Sequence, residues 1–175
     1  MSALRLINET EITSSVSSVD ITDVFSADFD IYKIVTDEIS TTGTATTGAK
    51  IRLINSSGSV ITASNYDYAY LSMTSGSAFV EVRSTNNSSV EEFFGIGYQS
   101  PQTAGSVTYC FNPFSSSSYT FFVNQSTSGS LRVTKNISVL KQTASMTGFQ
   151  VFDSTGARPF DSGVIKTYGL RVDNG

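Results

Sequence analysis

Tyr66-Asp67-Tyr68-Ala69-Tyr70-Leu71-Ser72-Met73 alternates with a period of two. Residues at that spacing share one face of an extended strand, whereas an amphipathic helix needs apolar residues three and four apart. The same alternation recurs at Ala78-Phe79-Val80-Glu81-Val82-Arg83, at Val107-Thr108-Tyr109-Cys110-Phe111 and at Tyr119-Thr120-Phe121-Phe122-Val123. Each segment is short, rich in β-branched and aromatic residues, and bounded by Gly, Asn or Ser. No convincing helix is found between them.

The punctuation supports strands. Ser56-Ser57-Gly58, Ser75-Gly76, Thr127-Ser128-Gly129 and Ser154-Thr155-Gly156 place a glycine where a turn calls for positive φ. Turn signals recur about every 8 to 15 residues, the cadence of an antiparallel sandwich. Ser14 to Ile39 at one end and Gly163 to Arg171 at the other read as the two ends of one closed sandwich. The expected fold is therefore all-β, an antiparallel β-sandwich of roughly eight to ten strands, jelly-roll-like. The sequence has no Trp and no pair of Cys to pin an immunoglobulin core. Residues 1–12 are expected to be an N-terminal strand or anchor, with Leu4, Leu6 and Ile7 as its interface residues, and residues 13–175 a single sandwich domain. Such a strand is expected at a sheet edge, or paired with a neighbouring subunit.

Three loop expectations follow. Ser40 to Gly48 is too polar to bury and too long for a tight turn, so it reads as a mobile or partner-facing loop. Gln99 to Gly105 and Ser115 to Ser118 are similar, and Pro101 and Pro113 fall in these neighbourhoods, where a missing N–H harms no ladder.

At 175 residues the chain suits one domain with a substantial core. Charged residues make up only 15%, the net charge is −4 and the pI is about 4.7, so no basic stripe exists to displace counterions from nucleic acid. No charged segment followed by an apolar run opens the sequence, and no apolar run approaches the ~20 residues of a membrane helix. Folding in a cytoplasm, without membrane insertion, is the expectation. Cys110 stands alone and is expected to be a buried structural thiol, because cysteine packs as a small hydrophobe.

The sequence contains no histidine, which removes the commonest general base, the commonest transition-metal ligand and every Ser-His-Asp or Cys-His arrangement. No Gly-x-Ser-x-Gly elbow singles out a serine. Glu91-Glu92 could in principle serve glycoside hydrolysis, but neighbours on a strand point to opposite faces, so solvated charges before a strand are expected instead. Asp20, Asp23, Asp28 and Asp30 form the densest acidic cluster; a turn flanking Phe25 and Phe29 explains them better than a calcium loop. In Phe94-Gly95-Ile96-Gly97-Tyr98 the glycines read as a bulge or a close backbone approach rather than a phosphate loop. Tyr66, Tyr68 and Tyr70 make an aromatic ladder, readable as a glycan-stacking platform or as a packed sheet or subunit interface.

Val19-Asp20-Ile21-Thr22, Phe29-Asp30-Ile31-Tyr32-Lys33-Ile34-Val35 and Gly163-Val164-Ile165-Lys166-Thr167-Tyr168-Gly169-Leu170 resemble small virion structural proteins of tailed bacteriophages, many from marine and cyanobacterial phages. The likeness covers the ends of the chain, and it brings no catalytic residues to transfer. It implies a β-sandwich module on the virion exterior, partnered by tail or major capsid proteins. The functional expectation is a non-enzymatic tail-fibre or appendage module, without cofactor or metal, forming homo-oligomers with a trimer favoured. A capsid decoration protein is the alternative, and a module binding host-surface glycan through the three tyrosines is a second.

Overall fold

The computed structural model describes residues 4–42, 48–97, 103–128, 132–153 and 158–171. Among them run β1 (Leu4–Ile12), β2 (Ser18–Ile21), β3 (Ile31–Thr41), β4 (Ala49–Asn55), β5 (Tyr66–Thr74) and β6 (Val80–Asn87). β7 (Val90–Phe94), β8 (Ala104–Phe111), β9 (Thr120–Ser128), β10 (Arg132–Leu140), β11 (Met146–Phe152) and β12 (Phe160–Leu170) complete the chain. There is no helix among the described residues, and the expected β-sandwich is what forms.

Two antiparallel sheets pack together. The larger has eight strands in the order β1-β12-β3-β8-β9-β10-β5-β6; the smaller has four in the order β2-β11-β4-β7. From β2 to β5 the chain alternates between the sheets, and it does so again at β6–β7–β8 and β10–β11–β12. This is the winding of a jelly roll, widened by a β8–β9–β10 meander at its centre and by β12 and β1 at one edge.

Apolar alternation decides what lies between the sheets. Ile21, Phe149 and Val151 on the small sheet meet Tyr32, Ile34 and Ile165 on the large one, all buried. Phe25, from the turn after β2, packs edge-on to Tyr32 at 4.7 Å and stacks on Phe149 at 5.9 Å. At the other end Phe93 of β7 meets Phe122 of β9 edge-on at 5.3 Å. Burying aromatic rings of this size supplies roughly 2–3 kcal/mol each and dominates the core.

The N-terminal strand takes a sheet-edge place. β1 pairs antiparallel with β12 from Leu4↔Leu170 to Ile12↔Gly163, with a bulge near Ile7, so residues 4–12 are an edge strand of the sandwich itself. The bulge splits the three anchor candidates. Leu4 and Leu6 sit opposite Leu170 and Tyr168, whereas Ile7 packs against the core.

The turn glycines divide too. Gly58 has φ +78, as its turn demands, whereas Gly76 reaches its turn without positive φ. Gly129 and the Ser154-Thr155-Gly156 turn lie outside the described residues, as do Pro101 and residues 43–47 of the polar loop. Ser40 and Thr41, the first residues of that expected loop, belong to β3 instead. Pro113 accepts a hydrogen bond from the Met146 N–H, tying the β8–β9 loop to the small sheet.

Gly95 is a close-approach glycine. A Cβ there would lie 1.6 Å from the carbonyl oxygen of Thr127, so only glycine lets the end of β7 meet β9.

Candidate functional site

The alternation of β8, β9 and β10 runs inside out along most of its length. Facing the small sheet are Ser106 and Thr108 of β8, Asn124 and Ser126 of β9, and Thr134, Asn136 and Ser138 of β10, all buried. Large apolar residues point inward at one end, where Phe122 and Leu140 join the core together with Cys110. Facing outward are Val107 and Tyr109, Phe121 and Val123, and Val133 and Ile137. Ile137 is 56% exposed and Phe121 48%.

Strand pairing assembles these outward residues into a grid. One row runs Lys33, Tyr109, Val123, Ile137, Ala69, Arg83 across β3, β8, β9, β10, β5 and β6. The next runs Val35, Val107, Gln125, Lys135, Leu71, Glu81. Pairing is unbroken from β8 through β9 and β10 to β5, while the flanking β3–β8 and β5–β6 ladders carry bulges. A concavity of about 740 Å³ opens on this face, lined by Phe111, Phe121, Val123, Ile137 and Ala69, with Asp67 and Arg83 at its rim.

The polar inner face is wired internally. Asn124 Nδ2 donates to Thr108 Oγ1 at 2.7 Å, Asn136 Nδ2 donates to the Glu91 carbonyl at 2.9 Å, and the Thr36 and Ser106 hydroxyls share a hydrogen bond at 2.7 Å. The amide oxygens of Asn124 and Asn136 have no protein partner. Leaving such a group dry costs about 1–3 kcal/mol, so this face is not where the strands gain their stability.

Glu91 and Glu92 require a correction. Both lie within β7 rather than before a strand, and Glu92 is buried rather than solvated. Glu92 adopts φ +51, and the β4–β7 ladder carries a bulge, so simple alternation does not apply to this pair. The Glu92 carboxylate accepts the Gly48 N–H at 2.9 Å and pairs with Arg132 at 2.8 Å, while Glu91 pairs with Lys50. Each carboxylate is thereby matched to a cation from a neighbouring strand, which is a structural use of the charge.

The tyrosine ladder faces inward. Tyr66 is fully buried; its hydroxyl donates to the Ile61 carbonyl and accepts the Leu53 N–H at 2.9 Å. Tyr68 is 7% exposed and stacks with the half-buried Tyr70 at 6.2 Å. A sugar needs an open ring face, so Tyr66 and Tyr68 are packing residues rather than glycan platforms, and only Tyr70 keeps partial access. Burial drives the Tyr66 hydroxyl far above the usual phenol range. Burial, followed by the nearby Glu91 charge, raises that of Tyr68 to about 12.

The remaining candidates resolve simply. Asp20 accepts from Gln150 Nε2 at 2.8 Å, Asp23 occupies a turn at φ +56, and the Asp30 carbonyl accepts the Asn112 N–H. Among the described residues no three acidic, Cys or His side chains converge as a metal site would need. Cys110 is fully buried, and desolvation pushes its thiol well above the ordinary range, so it is the inert packing thiol expected.

Period-two alternation marks these strands in the sequence but does not say which face turns inward, so the exposed grid does not show there. What signal there is lies in Val107-Thr108-Tyr109 and Asn136-Ile137-Ser138-Val139, where larger apolar residues alternate with small polar ones.

No family model matches the chain, and no curated protein matches it. Among solved structures it aligns with a fructofuranosidase from Schwanniomyces occidentalis complexed with fructosylnystose, at a TM-score of 0.22 and 6% identity. The alignment covers 97% of this chain but 35% of that one, and a superposition so loose carries no argument about activity.

Proposed function

We propose that this chain is a non-enzymatic structural protein of a tailed-phage virion, an exterior tail-fibre or appendage module that works by docking. The observation that carries the docking half of this reading is the bare apolar face of the large sheet. A β8–β9–β10 meander that turns hydroxyls and amides inward and Val107, Phe121, Val123 and Ile137 outward is shaped for a partner rather than for water. The virion half rests on the resemblance of the two chain ends to phage structural proteins. The pairing of Glu91 with Lys50 and of Glu92 with Arg132 supports a structural rather than a hydrolytic use of these adjacent carboxylates.

The test is particle composition. Phage particles produced from a genome carrying this coding sequence are purified, the chain is quantified against the major capsid protein, and antibody-labelled copies are located by electron microscopy. Tens of copies at the tail are expected. Hundreds spread over the capsid would select a decoration protein instead, and absence from purified particles would remove the virion reading altogether.

A further inference from the structure

We propose that the outer face of β8, β9, β10 and β5 is the surface on which two copies of this chain pair, sheet face against sheet face. The pairing rests on the docking reading above and names its first partner. Three observations converge on a second copy.

The first is area. Val107, Tyr109, Phe121, Val123, Ile137 and Leu71 are each more than a third exposed. With their half-buried neighbours they present a contiguous apolar surface on the order of several hundred Å², the size at which an exposed patch marks an interaction site. A standard stable interface takes ~800 Å² per partner, which such an apolar centre reaches together with its polar rim.

The second is regularity. The ladders from β8 to β5 contain no bulge, so the face is an even grid of side chains. Grids of this kind stack on one another about 10 Å apart with interdigitated side chains, as the two inner faces of any sandwich do. An identical sheet face meets that demand directly, and an isologous two-fold contact is the simplest way for one surface to be its own complement.

The third is charge. On this outward face one row runs from Lys33 to Arg83, the next holds Lys135 and ends in Glu81, and Asp67 lines the concavity. A partner of one charge sign would meet like charge somewhere along the rim. A second copy carries both signs and can oppose each to its counterpart.

The experiment measures mass in solution. By sedimentation equilibrium at micromolar concentration the purified full chain is expected at twice 18.8 kDa. Ile137→Lys puts a charge at the centre of the grid and is expected to weaken pairing at least ~100-fold, the scale of an interface hot spot. Because Ile137 already faces outward, this variant keeps its circular dichroism and thermal midpoint, while Thr62→Lys, in the exposed β4–β5 connection, leaves the mass unchanged. A second readout uses the buried Cys110: Ile137→Cys adds a thiol at the proposed contact, which a maleimide is expected to label fast in dilute solution and slowly once the chains pair. Any mass other than two chains overturns the pairing, and so does a pair that Ile137→Lys leaves intact or in which the added thiol stays equally reactive. A monomer found in virions would sink this pairing and leave the virion role standing; a pair absent from virions would do the reverse.

Discussion

Glu92 shows how much one backbone angle decides. At φ +51 a non-glycine residue sits in the sparsely populated left-handed region, which costs about 1 kcal/mol or more, and its surroundings must hold it there. Arg132 and the Gly48 N–H do so through its carboxylate, and Arg132 Nε also donates to Ser72 at 2.5 Å. Arg132→Met should therefore lower stability by about 2–3 kcal/mol in urea unfolding, somewhat below a fully dry pair because the Arg132 side chain keeps some access to water. Gly95 is less forgiving. Gly95→Ala drives a methyl into the Thr127 carbonyl, and a loss of ~3 kcal/mol or more, or no soluble folded chain, is the expected result of the same measurement.

The buried tyrosines set an alkaline limit. Below the ordinary phenol pKa both the folded and the unfolded chain are protonated, and no pH dependence arises. Above it the unfolded chain releases protons from Tyr66 and Tyr68 that the folded chain retains, because their folded pKa values are raised. The tyrosine contribution to stability should thus be unchanged up to about pH 10 and be lost progressively between there and pH 12. Phenolate absorbance from Tyr66→Phe and wild type, followed alongside circular dichroism, checks this: the Tyr66 contribution is expected to appear only as the fold is lost.

Among the elements, β1 matters most for engineering. It covers the edge of β12 and sends Ile7 and Ile12 toward the core. Removing residues 1–12 should cost on the order of 3–5 kcal/mol and bare the long β12 edge, which invites aggregation. Thermal unfolding and light scattering of the truncated chain test this, and a truncated chain as stable and soluble as the full one would return β1 to the status of a detachable anchor. In the β8–β9–β10 meander, register is held where Cys110, Phe122 and Leu140 enter the core. A slip by one residue would turn every side chain over. Phe122→Ala should therefore cost about 3–5 kcal/mol, measured by denaturant unfolding, and disturb the meander more than the rest of the fold.

At the scale of the whole molecule, the hydroxyl-rich composition has an architectural meaning. Ser, Thr and Asn residues line the space between the sheets, as Thr108, Asn124, Ser126, Thr134 and Asn136 do. The apolar side chains they displace stand outside, giving the eight-stranded sheet one face toward its own small sheet and one toward a partner. A single molecule in water pays for that exposed face, and covering it is the simplest relief.

Strand class, the sandwich, the buried Cys110 and the close approach at Gly95 were all legible in residue order, because period-two alternation, punctuation and a glycine inside a strand are local signals that survive without neighbours. What local pattern cannot carry is sidedness. Alternation states that Val123 and Asn124 face opposite ways, and only the crossing of β7 over β9, with Phe93 against Phe122, decides which of the two looks inward. The same holds for Glu92, whose bulge exists only against β4, and for Tyr66 and Tyr68, whose rings a second sheet covers. Periodicity is a property of one strand; burial is a property of what another strand brings to it.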